Sequence, residues 1–558
     1  MNIFRILRLA ALAIALDCCL SGCTGGLRIG LGDIEGPDTV KEGWTAEFTI
    51  QVDGGTNLSY LWMVTPPDAG EFKTPERNKS LFKAFDVQED KPVQIKVVVT
   101  TDQLGPVIKT KHITIMSCPG WAVTWPYERL EVADIATDDS GGIYITGYFD
   151  GVVDLDLGPA VKELISLEGA SCFIAKYDSK TNLIWAFQVD SALGDQGKSI
   201  VVDGAGNIYV LISYPLSVDK VRCTIAKYDT TANLLWYQSI GGDAESIAMD
   251  SFGDIYLTGS FYGDVDFNPG PGIDEHTAVG YRDVFLCKFN TTGDYQWTRT
   301  WGGEDVNLGL AWLIDTGQDL CIDGFGDIYV AGCFCQTGID FDPGPGTDTH
   351  NSIGGYDIFI SKFNSHGGFT WAKTFGSDST HDAVSCITSD GHENIYVAGN
   401  CEGKTDYDPG PAVVERPNGG PFVSNFNIDG ELQWVDIWAS YISRADIKVI
   451  NSNIYLIGVF EAPVDFDPGQ GVDIVEPVGQ FNSYLMEFDS YGNYNWVRVW
   501  SAEDAWTSKM TIDNYGNIYI LGAFKGTIDF DPGPGKDFET STGQLNYFLL
   551  RLNLDGDY

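Results

Sequence analysis

The dipeptide Ile-Tyr returns seven times in this chain, at Tyr144, Tyr209, Tyr256, Tyr329, Tyr396, Tyr455 and Tyr519. The successive spacings are 65, 47, 73, 67, 59 and 64 residues. Gly, Asn or Asp precedes each pair, and in six copies Gly follows three residues after the Tyr. A period in this range, built from short apolar runs and glycine turns, is the signature of a repeat architecture. It constrains the fold before any residue-level chemistry is read, and it names no substrate.

The third copy shows the unit. Glu245 to Asp250 is apolar at alternate places, and Ser251-Phe252-Gly253-Asp254 reads as a turn. Ile255 to Phe261 is rich in β-branched and aromatic residues, and a long Gly/Pro/Asp loop follows. Val284 to Asn290, the turn Thr291-Thr292-Gly293-Asp294 and the run Tyr295 to Trp301 complete it. Four short strands joined by turns predict one antiparallel sheet per repeat. Such a sheet cannot bury both faces alone, and stacking like sheets around an axis does so. The predicted fold is all-β: a seven-bladed β-propeller over 119–558, preceded by an immunoglobulin-like sandwich over 31–117.

Outer-strand tryptophans argue for a closed ring. Trp185, Trp236, Trp297, Trp371, Trp434 and Trp496 fall 27 to 42 residues after the tyrosine of their own repeat. The seventh repeat ends at Gly556-Asp557-Tyr558, two residues short of its Trp. Ala122-Val123-Thr124-Trp125 lies ahead of the first repeat, and Trp125 precedes Tyr144 by 19 residues. This segment is expected to supply the missing outer strand, which would hide the sheet edges.

Residues 1–23 read as a targeting segment. Arg5 and Arg8 form a charged start, Leu9 to Leu16 is apolar, and Leu20-Ser21-Gly22-Cys23 resembles a bacterial lipobox. That resemblance implies lipidation of Cys23, export, and anchoring to the outer membrane or cell surface through the lipid alone. In the 31–117 unit, Leu58-Ser59-Tyr60-Leu61-Trp62 followed by Pro66-Pro67 and Gly70 resembles the PKD type of sandwich, with Trp62 in an early central strand. A spacer between lipid and propeller is the expected role.

Charge narrows the partners. With 34 basic and 78 acidic residues the formal charge is −44, which argues against nucleic acid and anionic membrane surfaces. It suits bound cations or a soluble extracellular monomer. Of 12 cysteines, Cys18 and Cys19 leave with the signal and Cys23 takes lipid, leaving nine. Cys172, Cys223 and Cys287 read as buried hydrophobes in third strands, and Cys321 with Cys386 is a conceivable disulfide. The six histidines form no ligand pattern.

One constellation could carry chemistry. Between the second and third strands of six repeats stands an Asp-x-Asp/Asn-x-Gly motif, five times with an aromatic between the acids and a Pro-Gly turn after them. The paired residues are Asp154 and Asp156, Asp266 and Asn268, Asp340 and Asp342, Asp406 and Asp408, Asp465 and Asp467, and Asp529 and Asp531. The second repeat lacks the motif, which explains its short spacing. Alternation puts both acids of a pair on one side and the central aromatic on the other. Calcium, which takes six to eight oxygens, is the one candidate cofactor, with the remaining ligands drawn from loop carbonyls or a neighbouring blade. In the competing reading the aspartates cap the turn backbone while the aromatic joins a satellite core. Either way these loops are expected to ring one mouth of the central channel as the default binding face.

The recurring Asp-x-x-Gly-Asn/Asp-Ile-Tyr frame over 122–558 resembles the bacterial SBBP-type β-propeller repeat. The sixth copy, Asn451-Ser452-Asn453-Ile454-Tyr455, departs from it. The resemblance implies a secreted or surface-bound propeller and brings no catalytic residues. The leading expectation is a non-catalytic module binding a protein or polysaccharide through the acidic loops. The alternative is a lyase or hydrolase acting on an extracellular polysaccharide, with paired carboxylates as acid and base.

Overall fold

In the computed structural model, the described residues are 30–35, 39–41, 45–53, 58–65, 70–72, 79–84, 91–100, 107–116, 120–127, 129–158, 160–166, 169–189, 194–217, 220–304, 315–335, 337–378, 382–438, 442–533, 536–543 and 545–558. The expected signal segment and Cys23 lie outside them. Among the described residues every regular element is a β-strand, and no helix is long and apolar enough to cross a membrane. The chain divides into two compact units, Met1–Gly120 with Asn553–Asp555, and Trp121–Leu552 with Gly556–Tyr558.

The first unit holds two four-stranded sheets around one core of Phe48, Ile50, Trp62, Val93, Ile95, Val97, Val99 and Ile113. The alternation of Val93, Ile95, Val97 and Val99 along Lys91–Thr100 turns one face of that strand inward. The strand of Trp62, Ser59–Thr65, is not central as expected: it stands at an edge, paired only with Lys91–Thr100. Its Trp is still buried, 5.6 Å from Phe72, because the inward side of an edge strand is as dry as that of its neighbour.

Among the described residues the second unit is built from seven four-stranded antiparallel sheets; in six of them the strands lie side by side in sequence order, and the seventh takes its fourth strand from ahead of the first repeat. In sheet 3 the strands are Asp243–Met249, Ile255–Phe261, Asp283–Phe289 and Tyr295–Trp301. Second and third strands are almost wholly buried, since both their faces meet neighbouring sheets. The cores lie between sheets: Tyr209, Leu211 and Cys223 of sheet 2 pack with Leu257, Phe285 and Cys287 of sheet 3. Each such side chain, taken from water, is worth about 1.5–3 kcal/mol.

The first strands are Leu130–Thr137, Gln196–Val202, Asp243–Met249, Thr316–Ile322, Ala383–Ser389, Ile442–Ile450 and Asp504–Ile512. Each packs against the next, and the seventh packs against the first. Sheet 7 takes Trp121–Trp125 as its fourth strand, antiparallel to Asn546–Leu552. A shared core of Trp125, Tyr519, Leu521, Leu549, Val132 and Ile143 then joins sheets 7 and 1.

The register corrects one detail. Trp185, Trp236, Trp297 and Trp371 sit opposite Lys176, Lys227, Lys288 and Lys362, and the residue in that place in sheet 7 is Trp121, opposite Arg551. Trp121 lies 6.1 Å from the Tyr519 ring, as the others lie by their own tyrosines. Trp125 instead matches Trp301, Phe375 and Trp500 at the far end of the fourth strand. The expectation attached the repeat's Trp to the wrong end of a strand that carries one at each end.

Two further differences concern loops and thiols. The segment between second and third strands is not a plain loop: in six sheets it folds into its own two-stranded hairpin. The conceived Cys321–Cys386 disulfide is absent, and both are free thiols on neighbouring first strands. None of the eight described cysteines is in a disulfide, and burial raises the pKa of the Cys172, Cys223 and Cys287 thiols, so these three behave as apolar filling.

Candidate functional site

The antiparallel order sends the turns after first and third strands to one end of the sheets, and the hairpins and inter-sheet crossings to the other. At the hairpin end the acid pairs do repeated work. Asp340 Oδ1 accepts the amides of Asp342 and Asp348 at 3.1 and 2.8 Å, and Asp342 Oδ1 accepts that of Gly344 at 2.7 Å. Asp154 with Asp156, Asp266 with Asn268, Asp406 with Asp408, and Asp465 with Asp467 repeat the three bonds. In the last hairpin Asp529 takes the Asp537 amide and Asp531 that of Gly533. So the first acid clamps both sides of the loop and the second caps the Pro-Gly turn. Phe267, Phe341, Tyr407, Phe466 and Phe530 are fully buried beneath. Among the described residues no three His, Cys, Asp or Glu side chains gather as a metal-holding group.

These hairpins do not collar the channel as expected. They reach the fourth strand of the preceding sheet: Trp438 and Trp500 donate their indole N–H to the carbonyls of Phe466 and Phe530. Fourth strands stand farthest in sheet order from the first strands. Four of the six hairpins present an aliphatic outward, while the other two carry the exposed Thr347 and Lys536 in that place. Val161, Ile273, Val413 and Val472 share one position past the turn and are 70, 81, 70 and 73% exposed. On the segments that return from the hairpins to the third strands, Val279, Ile353 and Val478 are exposed too, their amides held by Asp283, Asp357 and Asn482.

At the opposite end, the Asp of the Asp-x-x-Gly turn binds its Tyr. Tyr144, Tyr209, Tyr256, Tyr329 and Tyr519 donate to Asp138, Asp203, Asp250, Asp323 and Asp513 at 2.7, 3.3, 3.0, 3.0 and 3.2 Å. Lys176, Lys227, Lys288 and Lys362 of the third strands lie 4.6–5.1 Å over the first four rings and pair with acids of the same turns. Burial pushes the Asp138 carboxyl up, but bonds from Ser140, Tyr144, the Gly142 amide and Lys176 outweigh it and hold it well below the usual range. The sequence signal was a Lys one residue before the Tyr or Phe that ends the third strand, and it was overlooked. The turn needs a left-handed residue, as at Gly253 with φ 83°.

Inside the ring of first strands the repeat stops repeating. Each first strand carries a β-bulge, and the residue after it is Asp134, Ser199, Ser246, Asp319, Cys386, Asp446 or Lys509 in turn. Asp134 accepts from the Ser199 hydroxyl at 2.6 Å and the amides of Ile135 and Ile200, both at 2.9 Å. Asp319 likewise takes Ser246, Leu320 and Ile387, and Asp446 takes Ile447, Lys448 and Met510. These bonds stitch neighbouring sheets together at the axis. They border a cavity of about 480 Å³ that runs out to the turns at Asp138, Asp139 and Asn514. Burial raises the Asp134 pKa despite the charge of Lys509, whereas for Asp446 the charges of Lys448 and Lys509 win over burial and lower it. None of the hairpin acids lines this cavity.

No family model matches the chain. It is 23% identical over 489 residues to a WD repeat-containing protein of Acanthamoeba polyphaga mimivirus, covering 70% of this chain and 35% of that one. With the regulatory protein FlaEY of Caulobacter vibrioides it shares 26% identity over 215 residues, 35% of this chain and 21% of the other. The chain thus spans about a third or less of the length of these relatives. Among solved structures, an apocarotenoid oxygenase of Synechocystis aligns over 83% of this chain and 91% of its own, at 9% identity and a TM-score of 0.34. A protein from Bacteroides caccae aligns over 58% and 89%, at 11% identity and a TM-score of 0.28. The repeated four-stranded sheets and the WD-repeat-like homologue define the class: this is an all-β, propeller-like repeat protein.

Proposed function

We propose that the chain is an exported, lipid-anchored, non-catalytic binding module: a seven-bladed β-propeller behind an immunoglobulin/PKD-like sandwich, docking a protein through its hairpin face. Support for seven blades comes from the cycle of seven first strands and the pairing of Trp121–Trp125 with Asn546–Leu552. The carrying observation for docking is the recurrence of Val161, Ile273, Val413 and Val472, exposed at one position of a rigid hairpin. A repeated aliphatic outside a core forfeits burial energy on folding, and a partner recovers it. Surrounding acids and a net charge of −44 select a partner with basic and apolar surface. Replacing Ile273, Val413 and Val472 by Ser should abolish association with such a partner and leave folding intact; unchanged association sinks the reading.

The SBBP-type repeat and the outer-membrane anchor stay part of this reading. Replacing Cys23 by Ala should end fatty-acid labelling and free the protein from membranes. Calcium remains a separable proposal: the hairpin acids spend one oxygen each on amides, and the second oxygens would have to supply the ion. A melting temperature indifferent to chelator removes it. The enzyme alternative draws on one observation, the unlike residues around the cavity, and turnover of a polysaccharide by the wild type would favour it.

A further inference from the structure

Sheet 2 differs from its neighbours along its outer edge. In sheets 1, 3, 4 and 6 the hairpin lies against the fourth strand of its own sheet. Gln188 bonds the amide and the carbonyl of Ile165, both at 3.0 Å, and the Ala372 amide reaches Asp348 at 3.2 Å. Tyr295 and Tyr494 donate to Asp274 and Asp473. Sheet 2 has no hairpin to lend: Ile208–Ser217 and Lys220–Tyr228 run on and pair directly as far as Ser217 and Lys220. Tyr214 fills part of the place, its hydroxyl bonded to that of Thr224, which is bonded in turn to Ser239.

The rest of that place stays open, and it is apolar. On the fourth strand of sheet 2, Leu234–Gly241, Tyr237 is 62% exposed, whereas Ala186, Thr298 and Ala372 at the same register are buried. Leu234 and Leu235 are each 51% exposed, and sheets 3 to 6 put Gln296, Thr370, Gln433 and Asn495 where Leu235 stands. From sheet 1 comes the half-buried Phe187, 5.0 Å from Tyr228 of sheet 2. The edge is also unguarded. Leu234–Gly241 pairs only with Lys220–Tyr228, so its other side presents unpaired backbone groups. Fourth strands of sheets 3 to 6 carry Arg299, Lys373, Asp436 and Arg498 at one register, charges that discourage a further strand; sheet 2 has Gln238 there. Leu183–Val189 and Trp121–Trp125 are uncharged too, but their sheets have hairpins.

We propose that the missing wedge is supplied by another molecule: an extended segment of a partner protein adds as a strand to the Leu234–Gly241 edge. Strand addition draws affinity from backbone hydrogen bonds and selectivity from alternate side chains. Those turned toward sheet 1 are apolar and cover Tyr237 and Leu234, as the hairpins cover the equivalent places elsewhere. The flanks of the segment are basic, because a chain of net charge −44 steers and holds cationic partners. The same charge opposes a second copy of this chain as the occupant, since two such chains repel. This edge belongs to the one sheet without a hairpin, so it is independent of docking through Val161, Ile273, Val413 and Val472.

Panning a displayed library of random dodecapeptides against the full chain in detergent tests it. Enriched sequences should alternate apolar residues and carry Lys or Arg at their ends, and synthetic copies should bind with Kd on the order of 10–100 μM. Tyr237→Lys and Leu235→Lys, which place a charge on the edge, should each weaken them about tenfold or more. Tyr237→Phe should keep the affinity, and both lysine variants should keep the wild-type urea midpoint, since these side chains stand largely in water. Gln296→Lys and Thr370→Lys, at the place of Leu235 in sheets 3 and 4, should change nothing, and neither should Ile273→Ser with Val413→Ser. A library without binders, an acidic or non-alternating consensus, or peptides that bind Tyr237→Lys as well as the wild type overturn the proposal. So does dimerisation in sedimentation that Tyr237→Lys abolishes, because a second copy would then hold the edge.

Discussion

One repeat builds two unlike ends. At the hairpin end, the aromatic between the acids is Phe or Tyr five times, and each time it is fully buried. At the turn end, the residue before the fourth turn position is Ser140, Ala205, Phe252, Phe325, His392 or Tyr515: Ser140 bonds Asp138 of its own turn, Tyr515 reaches the Asp139 carbonyl of the next sheet, and Phe252 and Phe325 are exposed. Uniformity thus marks where a side chain fills a hole that recurs in every sheet. Variation marks where nothing in the fold specifies the residue, and that is where a specific ligand can be read. The acid pairs, the most conspicuous pattern in the sequence, belong to the first kind.

The sharpest break of this contrast is Phe341→Ala. Its ring lies 5.3 Å from both Phe334 and Phe359, at the meeting of sheet 4 and its hairpin. Truncation should cost about 3–5 kcal/mol through lost burial and an unfilled cavity. Urea unfolding would read it, and a loss below about 1 kcal/mol would show that the hairpin is an ornament rather than part of the sheet's core. Asp340→Ala comes next. It strips two amides of their acceptor, and about 1–3 kcal/mol is expected from two charge-assisted bonds partly replaced by water. If the loss appears only in the presence of calcium, the acids are ligands first and caps second.

Much of this organisation was legible in the chain. The strand runs of the third copy fall within two residues of the observed strands, because alternation and Gly-containing turns fix both register and ends. Pairing of the strand before the first repeat with the last one was legible too, from a Trp lacking at the C-terminus. Its register was not, since Trp121 and Trp125 both look like outer-strand tryptophans and only the partner strand tells them apart. The axial ring escaped notice altogether. Asp134, Asp319, Asp446 and Lys509 sit after bulges, which shift the alternation by a residue and hide which side chains face inward. Across the seven repeats the position after the bulge is Asp three times, Ser twice, Cys once and Lys once, so a search for repeats passes over it.

A pH test probes the hairpin end without touching an aromatic. Burial, and then the charge of Asp382, push the Asp357 carboxyl up to about 6 from an ordinary 3.8. The folded chain therefore keeps this proton where the unfolded chain has lost it. Stability falls as pH rises from about 4 to about 6, and stays low above. Asn482 and Asn546 occupy the same place in sheets 6 and 7, holding the corresponding amides of Val478 and Thr542 without a charge. Asp357→Asn should match the wild type near pH 4 and exceed it by about 1–2 kcal/mol at pH 8. An advantage at every pH, or none at pH 8, would mean that the carboxylate is not what strains this position.

The smallest expected effect is the most telling for the comparison. Phe252 and Phe325 touch no core cluster, and their backbone is held by Asp250 and Asp323 whatever side chain they carry. Their joint replacement by Ala should leave the urea midpoint within about 0.5 kcal/mol of the wild type, as for surface substitutions generally. A slight gain is compatible too, because two large apolar surfaces leave water. Had these rings been retained for the fold, their loss would register alongside that of Phe341. A drop of about 2 kcal/mol would place them in a contact between turns and merge the two ends into one structural role. Stability unchanged within that margin separates the two: the hairpin aromatic serves the sheets, and these turn aromatics do not.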